Sequence, residues 1–310
     1  MKRKERDDLD SIWFGTETPL SDLPLEAAAQ RVRDYGDTAA ADQMATAASS
    51  AGGEKFAVGR SLFGFLFSRY ARTLNVCGFL SADGGGLVPV SQVEPDSSLK
   101  EKHLKVTLDG LHVANYPGFG THKLLFDFAV QTQLKGKTGI FHYNARFEAR
   151  DGETVPVRNF PLFYGLKPSG EGITFGFQTV NLSSGFDEGL LDFLKKDEFK
   201  SGLDLAASVT PMLGQVSEMA ASLTRWLAGQ SQNAKVQEFR QGLDFEWGAF
   251  GGGLALGSYL VVQIPKDAER EWNWKDWVVD RQTARVVRRD QPAQPLDYNH
   301  LVFGLHRLKA

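Results

Sequence analysis

Cysteine is nearly absent: Cys77 is the only one in 310 residues. A single thiol excludes an intrachain disulfide and a cysteine-cluster metal site. It suits a reducing cytoplasm, and it reads as a small buried thiol rather than a nucleophile. Long apolar runs are also missing. Without a stretch of 18 apolar residues, no transmembrane helix is expected. Met1 to Arg6 is charged, but no apolar segment follows it, so no signal peptide is expected either. Positive charge is not in excess. A net charge of −3 and a pI near 6.1 argue against a dedicated nucleic-acid binder. The default expectation is a bacterial cytoplasmic protein, peripheral to a membrane at most.

Catalytic signatures are lacking as well. There is no G-x-S-x-G elbow, no H-E-x-x-H and no H-x-H pair. His103, His112, His122, His142, His300 and His306 are dispersed and read as surface or hydrogen-bonded histidines. The glycines of Ala82-Asp83-Gly84-Gly85-Gly86 lack the context of a phosphate loop. Calcium at loop tips needs several acidic oxygens. Asp109, Asp127, Asp151, Glu153 and Asp187 lie near expected strand ends, but none of these five forms a D-x-D pair. No cofactor is assigned.

What is present is β-patterning. A hydrophobic fraction of 42% and a charged fraction of 24% are those of a globular protein. The 22 phenylalanines fall largely at strand positions and read as core. Leu104, Val106 and Leu108 alternate with polar residues, the period of a half-buried strand. Asp109-Gly110 reads as a turn dipeptide. Further strands are expected at 76–80, 87–93, 124–132, 140–149, 154–157, 162–166 and 173–182. Short turns join them, as in an antiparallel sandwich rather than βαβ units.

After Leu182 the period changes. A short helix is expected over 187–196. Val209, Met212, Leu213, Val216, Met219, Ala220, Leu223, Trp226 and Leu227 then follow helical spacing. The tail returns to strands, including the apolar run 255–265, a Trp-bearing segment 271–279, and strands at 284–288 and 301–305. Near the N-terminus, Leu25 to Tyr35 is expected to be a short helix. The fold class expected is therefore mainly β with a helical insert: an antiparallel β-sandwich, then helices, then a smaller C-terminal β domain. The divisions are a polar segment 1–55, a sandwich 56–182, a helical connector 183–233 and a C-terminal β domain 234–310.

The strands HLKVTLDGL and LLFDFAVQT, in their order and with their turns, resemble a C2-type sandwich over about residues 103–182. The resemblance implies a membrane-binding or protein-interaction module. C2 domains often hold calcium with aspartates in paired loops; this sequence lacks those pairs, so calcium dependence is unsupported.

The leading expectation is a non-enzymatic binding protein that engages a protein partner or a membrane surface. Two surfaces are candidates. One is the aromatic and basic group Trp272, Trp274, Trp277, Lys275 and Arg281. The other is the Phe-rich stretch with Phe63, Phe65 and Phe67, in which Leu62, Phe63, Leu66, Phe67, Tyr70 and Leu74 fall at the spacing of an amphipathic helix at a membrane. Both have a plainer reading as packing. The alternatives are a hydrolase with an unrecognised site, and a membrane-damaging, pore-forming effector suggested by the same Phe-rich stretch.

Overall fold

The structure is a computed structural model that describes residues 25–34, 38, 41–42, 45–46, 73–116, 120–134, 137–182, 234–247, 251–280 and 285–308. Helix α1 spans Leu25–Asp34, as the sequence leads one to expect. The strands are β1 (Thr73–Ser81), β2 (Val88–Pro89), β3 (Leu104–Val113), β4 (Thr121–Leu134), β5 (Lys137–Arg150), β6 (Glu153–Val155) and β7 (Phe160–Leu166). They continue as β8 (Gly172–Leu182), β9 (Ala234–Asp244), β10 (Gly252–Gly253), β11 (Gly257–Pro265), β12 (Trp277–Asp280), β13 (Arg285–Arg288) and β14 (His300–Arg307).

These strands make two main sheets. The larger has seven strands in the order β2-β1-β11-β14-β3-β6, with β7 also paired to β3. The smaller has five, in the order β10-β9-β8-β4-β5. Strands β12 and β13 form a separate two-stranded ribbon. Pairing is antiparallel except for β10 with β9.

This arrangement corrects the expected fold class. The C-terminal strands do not form a smaller β domain of their own. Strand β9 pairs with β8, β11 with β1, and β14 with β3, so the tail completes the sheets that the earlier strands begin. From Thr73 onward the described residues hold no α-helix, only short 3-10 turns. The helices expected at 187–196 and 205–228 lie outside the described residues. Alternation along a strand reports which face is buried, not which strand lies beside it. That is why the sequence pattern separated two groups of strands that share one core.

The Asp109-Gly110 dipeptide is likewise not a hairpin turn. Strand β3 runs straight through it, and the register against β14 shifts between Val302 and Phe303. The shift is a bulge, and its effect is a change of parity. Leu104, Val106 and Leu108 face the core before it, and Leu111 and Val113 face the same core after it. The expected strand at 87–93 shortens to β2, followed by a 3-10 turn over Val90–Gln92.

The inner faces of the two sheets meet in one apolar layer. Phe303 of β14 stacks on Tyr259 of β11, with ring centroids 5.1 Å apart. Its edge meets Phe128 of β4 at 5.3 Å, and Phe175 of β8 lies at the same distance. One side chain thus touches both sheets. A second, smaller core lies on the outer face of the larger sheet. It holds Leu80, Leu260, Val262, Ile264, Trp274, Val286, Leu296 and Val302. Strand β11 is therefore buried on both faces, which explains its unbroken apolar run.

The Phe303→Ala variant is expected to lose about 3–5 kcal/mol of stability, the range for truncating a buried aromatic. Denaturant unfolding followed by tryptophan fluorescence measures it, and a loss under about 1 kcal/mol would show that the two sheets do not depend on this contact.

Candidate functional site

The outer face of the larger sheet carries three features in succession, and the segment from Lys266 to Tyr298 decides which is covered. At the β1–β11 side, that segment lays its tryptophans on the sheet. Trp274 sits in a 3-10 turn and is 6% exposed. Its ring lies over Gly78 so closely that a Cβ there would be 2.7 Å from it. Trp272 packs edge-on against Trp274 at 5.2 Å and stacks on Trp277 at 5.6 Å. Trp272 and Trp277 are half-buried, and Lys275 is exposed. Arg288, rather than Lys275, lies over the Trp277 ring, at 6.0 Å. Three of the predicted surface aromatics therefore converge on one another and on the sheet. Arg281, Phe63, Phe65 and Phe67 lie outside the described residues.

Further along is a row of three residues in direct register across three strands. His112 of β3 pairs with Thr154 of β6 on one side and with His300 of β14 on the other. The two imidazoles stack, with centroids 4.8 Å apart and planes 26° from parallel. His112 Nδ1 is 2.9 Å from Thr154 Oγ1, and His300 Nδ1 is 2.8 Å from the carbonyl of Tyr298. Gly152, Arg285, Val286, Pro295 and Leu296 join these three around a cavity of about 80 Å³. Burial pushes the pKa of His300 down to about 3, helped by the adjacent His112 and opposed by the Tyr298 carbonyl. His112 is also lowered, by burial first and by Arg285, against the pull of Asp297. Both rings are neutral at pH 7.

At the far end of the face the row is open to solvent. Tyr164 of β7, Lys105 of β3 and His306 of β14 stand side by side in register. Tyr164 is 43% exposed and His306 is exposed. Lys105 Nζ donates to Asn159 Oδ1 at 2.9 Å. His306 Nε2 lies 3.2 Å from Thr107 Oγ1, which donates to Asp109 Oδ1 at 2.9 Å. Gly304 lies beneath these groups; a Cβ there would meet His306, Asp109 and Thr107 at 2.5–2.6 Å. Burial raises the pKa of Asp109, against the Thr107 hydrogen bond and the nearby His306 and Lys105 charges.

The remaining histidine–carboxylate pairs bind the scaffold together. His122 Nε2 is 2.9 Å from Asp151 Oδ1, which also accepts the backbone N–H of Tyr116. His142 Nδ1 is 2.9 Å from Asp127, with Gln178 Nε2 donating to the same carboxylate at 3.4 Å. Cys77 is buried, and burial raises its pKa, so it stays a thiol. Among the described residues no group of three or more His, Cys, Asp or Glu is placed to hold a metal ion. No helix among them is long and apolar enough to cross a membrane. The chain matches no family model, and no curated protein or solved structure is similar to it.

Sequence reasoning missed both histidine-bearing rows. Alternation places Lys105, Thr107 and His112 on a polar face, but only strand register shows what lies beside them.

Two tests follow from this geometry. Gly78→Ala forces Trp274 off the sheet and is expected to cost about 1–3 kcal/mol, as overpacking does; thermal unfolding at the wild-type midpoint would contradict the close contact. Acid is expected to weaken the fold through His300. The unfolded imidazole titrates near 6.5, so between that pH and about 3 the unfolded chain holds a proton that the folded chain lacks. Stability is therefore full above about pH 6.5 and falls on acidification by up to about 1.4 kcal/mol per pH unit. Urea titrations at pH 7 and 5 should show a smaller difference for His300→Gln than for the wild type; an equal difference refutes the assignment.

Proposed function

We propose that the protein is a non-enzymatic binding protein whose double-sheet scaffold presents the open end of the larger sheet's outer face to a protein partner or a membrane surface. The observation that carries this reading is the row Tyr164–Lys105–His306. It joins an exposed aromatic ring to a primary amine and an imidazole on three rigid strands. Arg307, the residue after His306 in β14, is exposed, as is Lys167, which pairs with Glu101 at 2.9 Å. Aromatic rings beside cations suit an anionic surface, because the ring offers apolar area while the cations meet negative charge. Trp247, 63% exposed, is the other prominent aromatic, but the acidic Glu246 stands beside it. The C2-type resemblance points to the same class of function. The tryptophan group expected as a docking surface is, in this reading, a cover that stiffens the sheet.

Co-sedimentation of the full chain with vesicles of phosphatidylcholine, with and without phosphatidylserine, tests the reading. Binding to the anionic vesicles alone is expected, unaffected by calcium and reduced at least about tenfold in Tyr164→Ala/Lys105→Glu. If neither vesicle binds, the membrane half of the reading fails. Photo-crosslinking from position 164 then asks for a protein partner. Binding that survives the double variant places the surface elsewhere.

A further inference from the structure

The outer face of the smaller sheet is buried, yet its larger apolar side chains belong to neither of the two apolar cores. Leu124, Phe126, Phe128 and Val130 of β4 point between the sheets. Alternation therefore turns Leu125, Asp127 and Ala129 outward, and their register partners on β8 turn outward with them. Leu125, Asp127, Ala129, Gln178, Val180 and Leu182 are all buried. Leu125, Val180 and Leu182 are part of neither the core between the sheets nor the smaller outer core.

The face has a definite pattern. Register sets Leu125 opposite Val180, Asp127 opposite Gln178, and Ala129 opposite Gly176. The first pair, with Leu182, makes an apolar end. The middle row is bonded within the sheet: His142 Nδ1 lies 2.9 Å from Asp127, and Gln178 Nε2 donates to the same carboxylate. Ala129 and Gly176 leave a low trough beyond it. Lys123 stands opposite Leu182 and Arg146 opposite Leu125, so cations border the apolar end.

Apolar side chains withdrawn from water in this way need apolar partners, and the chain itself supplies the nearest ones. Asn181 pairs with Ala234, so residues 183–233 leave β8 and return to β9 at the apolar end of the face. The chain from Leu227 to Ala234 stretches about 25 Å at most, which tethers Trp226 and Leu227 to that end. Leu213, Val216, Met219 and Leu223 precede them in the same segment. Residues 183–233 also carry seven acidic side chains against four basic ones, which suits a border of cations. Residues 56–72 are apolar too, but they hold Arg60, Arg69 and Arg72 with no acid, and they lead into β1 of the other sheet.

From these observations we propose that the outer face of the smaller sheet is the docking seat of the chain's own residues 205–228. Leu223, Trp226 and Leu227 pack on the end formed by Leu125, Val180 and Leu182. Arg225, which lies between them in sequence, stays in water.

Disulfide trapping in the full chain is the experiment; Cys77 is buried and takes no part. A Leu125→Cys chain that also carries Leu223→Cys or Leu227→Cys should cross-link at least about tenfold faster than one carrying Arg225→Cys, because docking raises the effective concentration only of side chains that meet the face. Hydrogen exchange of the unaltered chain is the second measurement and needs no variant to fold. Amides within 212–227 should be protected at least about a hundredfold relative to an unstructured chain. The proposal is overturned if Arg225→Cys cross-links as fast as Leu223→Cys, or if those amides exchange at the unstructured rate. It is also overturned if Ala29→Cys or Phe63→Cys, in place of the 205–228 positions, cross-links to position 125.

Discussion

The insertion of β14 between β11 and β3 is the constraint on which the rest of the molecule depends. Its eight residues face three environments at once. Leu301, Phe303 and Leu305 enter the core between the sheets. Val302 enters the smaller core on the outer face, and His300 and His306 join the two histidine-bearing rows. A slip of one residue would exchange these sets, placing histidines in the apolar layer and phenylalanine outside. The bulge at Asp109–Gly110 belongs to the same constraint. It lets β3 keep leucine and valine inward on both sides of the irregularity while β14 stays paired along its length.

Burial on two faces also explains the division of the outer surface. The larger sheet carries apolar side chains outward on β1 and β11, and these cannot be left to water over so wide an area. The segment from Lys266 to Tyr298 covers them, with Trp274 seated where Gly78 has no side chain. The cover reaches His112 of β3, where Arg285, Val286, Pro295 and Leu296 line the cavity beside it. It buries the His112–His300 pair, and beyond it Tyr164 and His306 are exposed with Lys105 half-buried between them. The proposed binding surface is thus a consequence of where the cover ends.

The phenylalanines, the alternation in β3 and β8, and the doubly apolar run of β11 were legible in the sequence, because period and composition are local properties of the chain. So was the buried state of Cys77. The tryptophan group was legible as a cluster but not as a cover, since the same three indoles at the same spacing serve either role. The two histidine rows were not legible. Thr154, His112 and His300 come from three strands, and so do Tyr164, Lys105 and His306. In each row the β14 member lies far along the chain from its neighbours.

By itself the sequence determined that this is a mainly β protein, with an apolar face on its alternating strands, a doubly apolar β11 and no cysteine framework. Tertiary structure alone decided that early and late strands share one pair of sheets, that the indoles turn inward, and which polar side chains meet. The physical reason is that hydrophobic periodicity specifies a face for every strand, whereas strand order and register come from contacts between residues far apart in the chain.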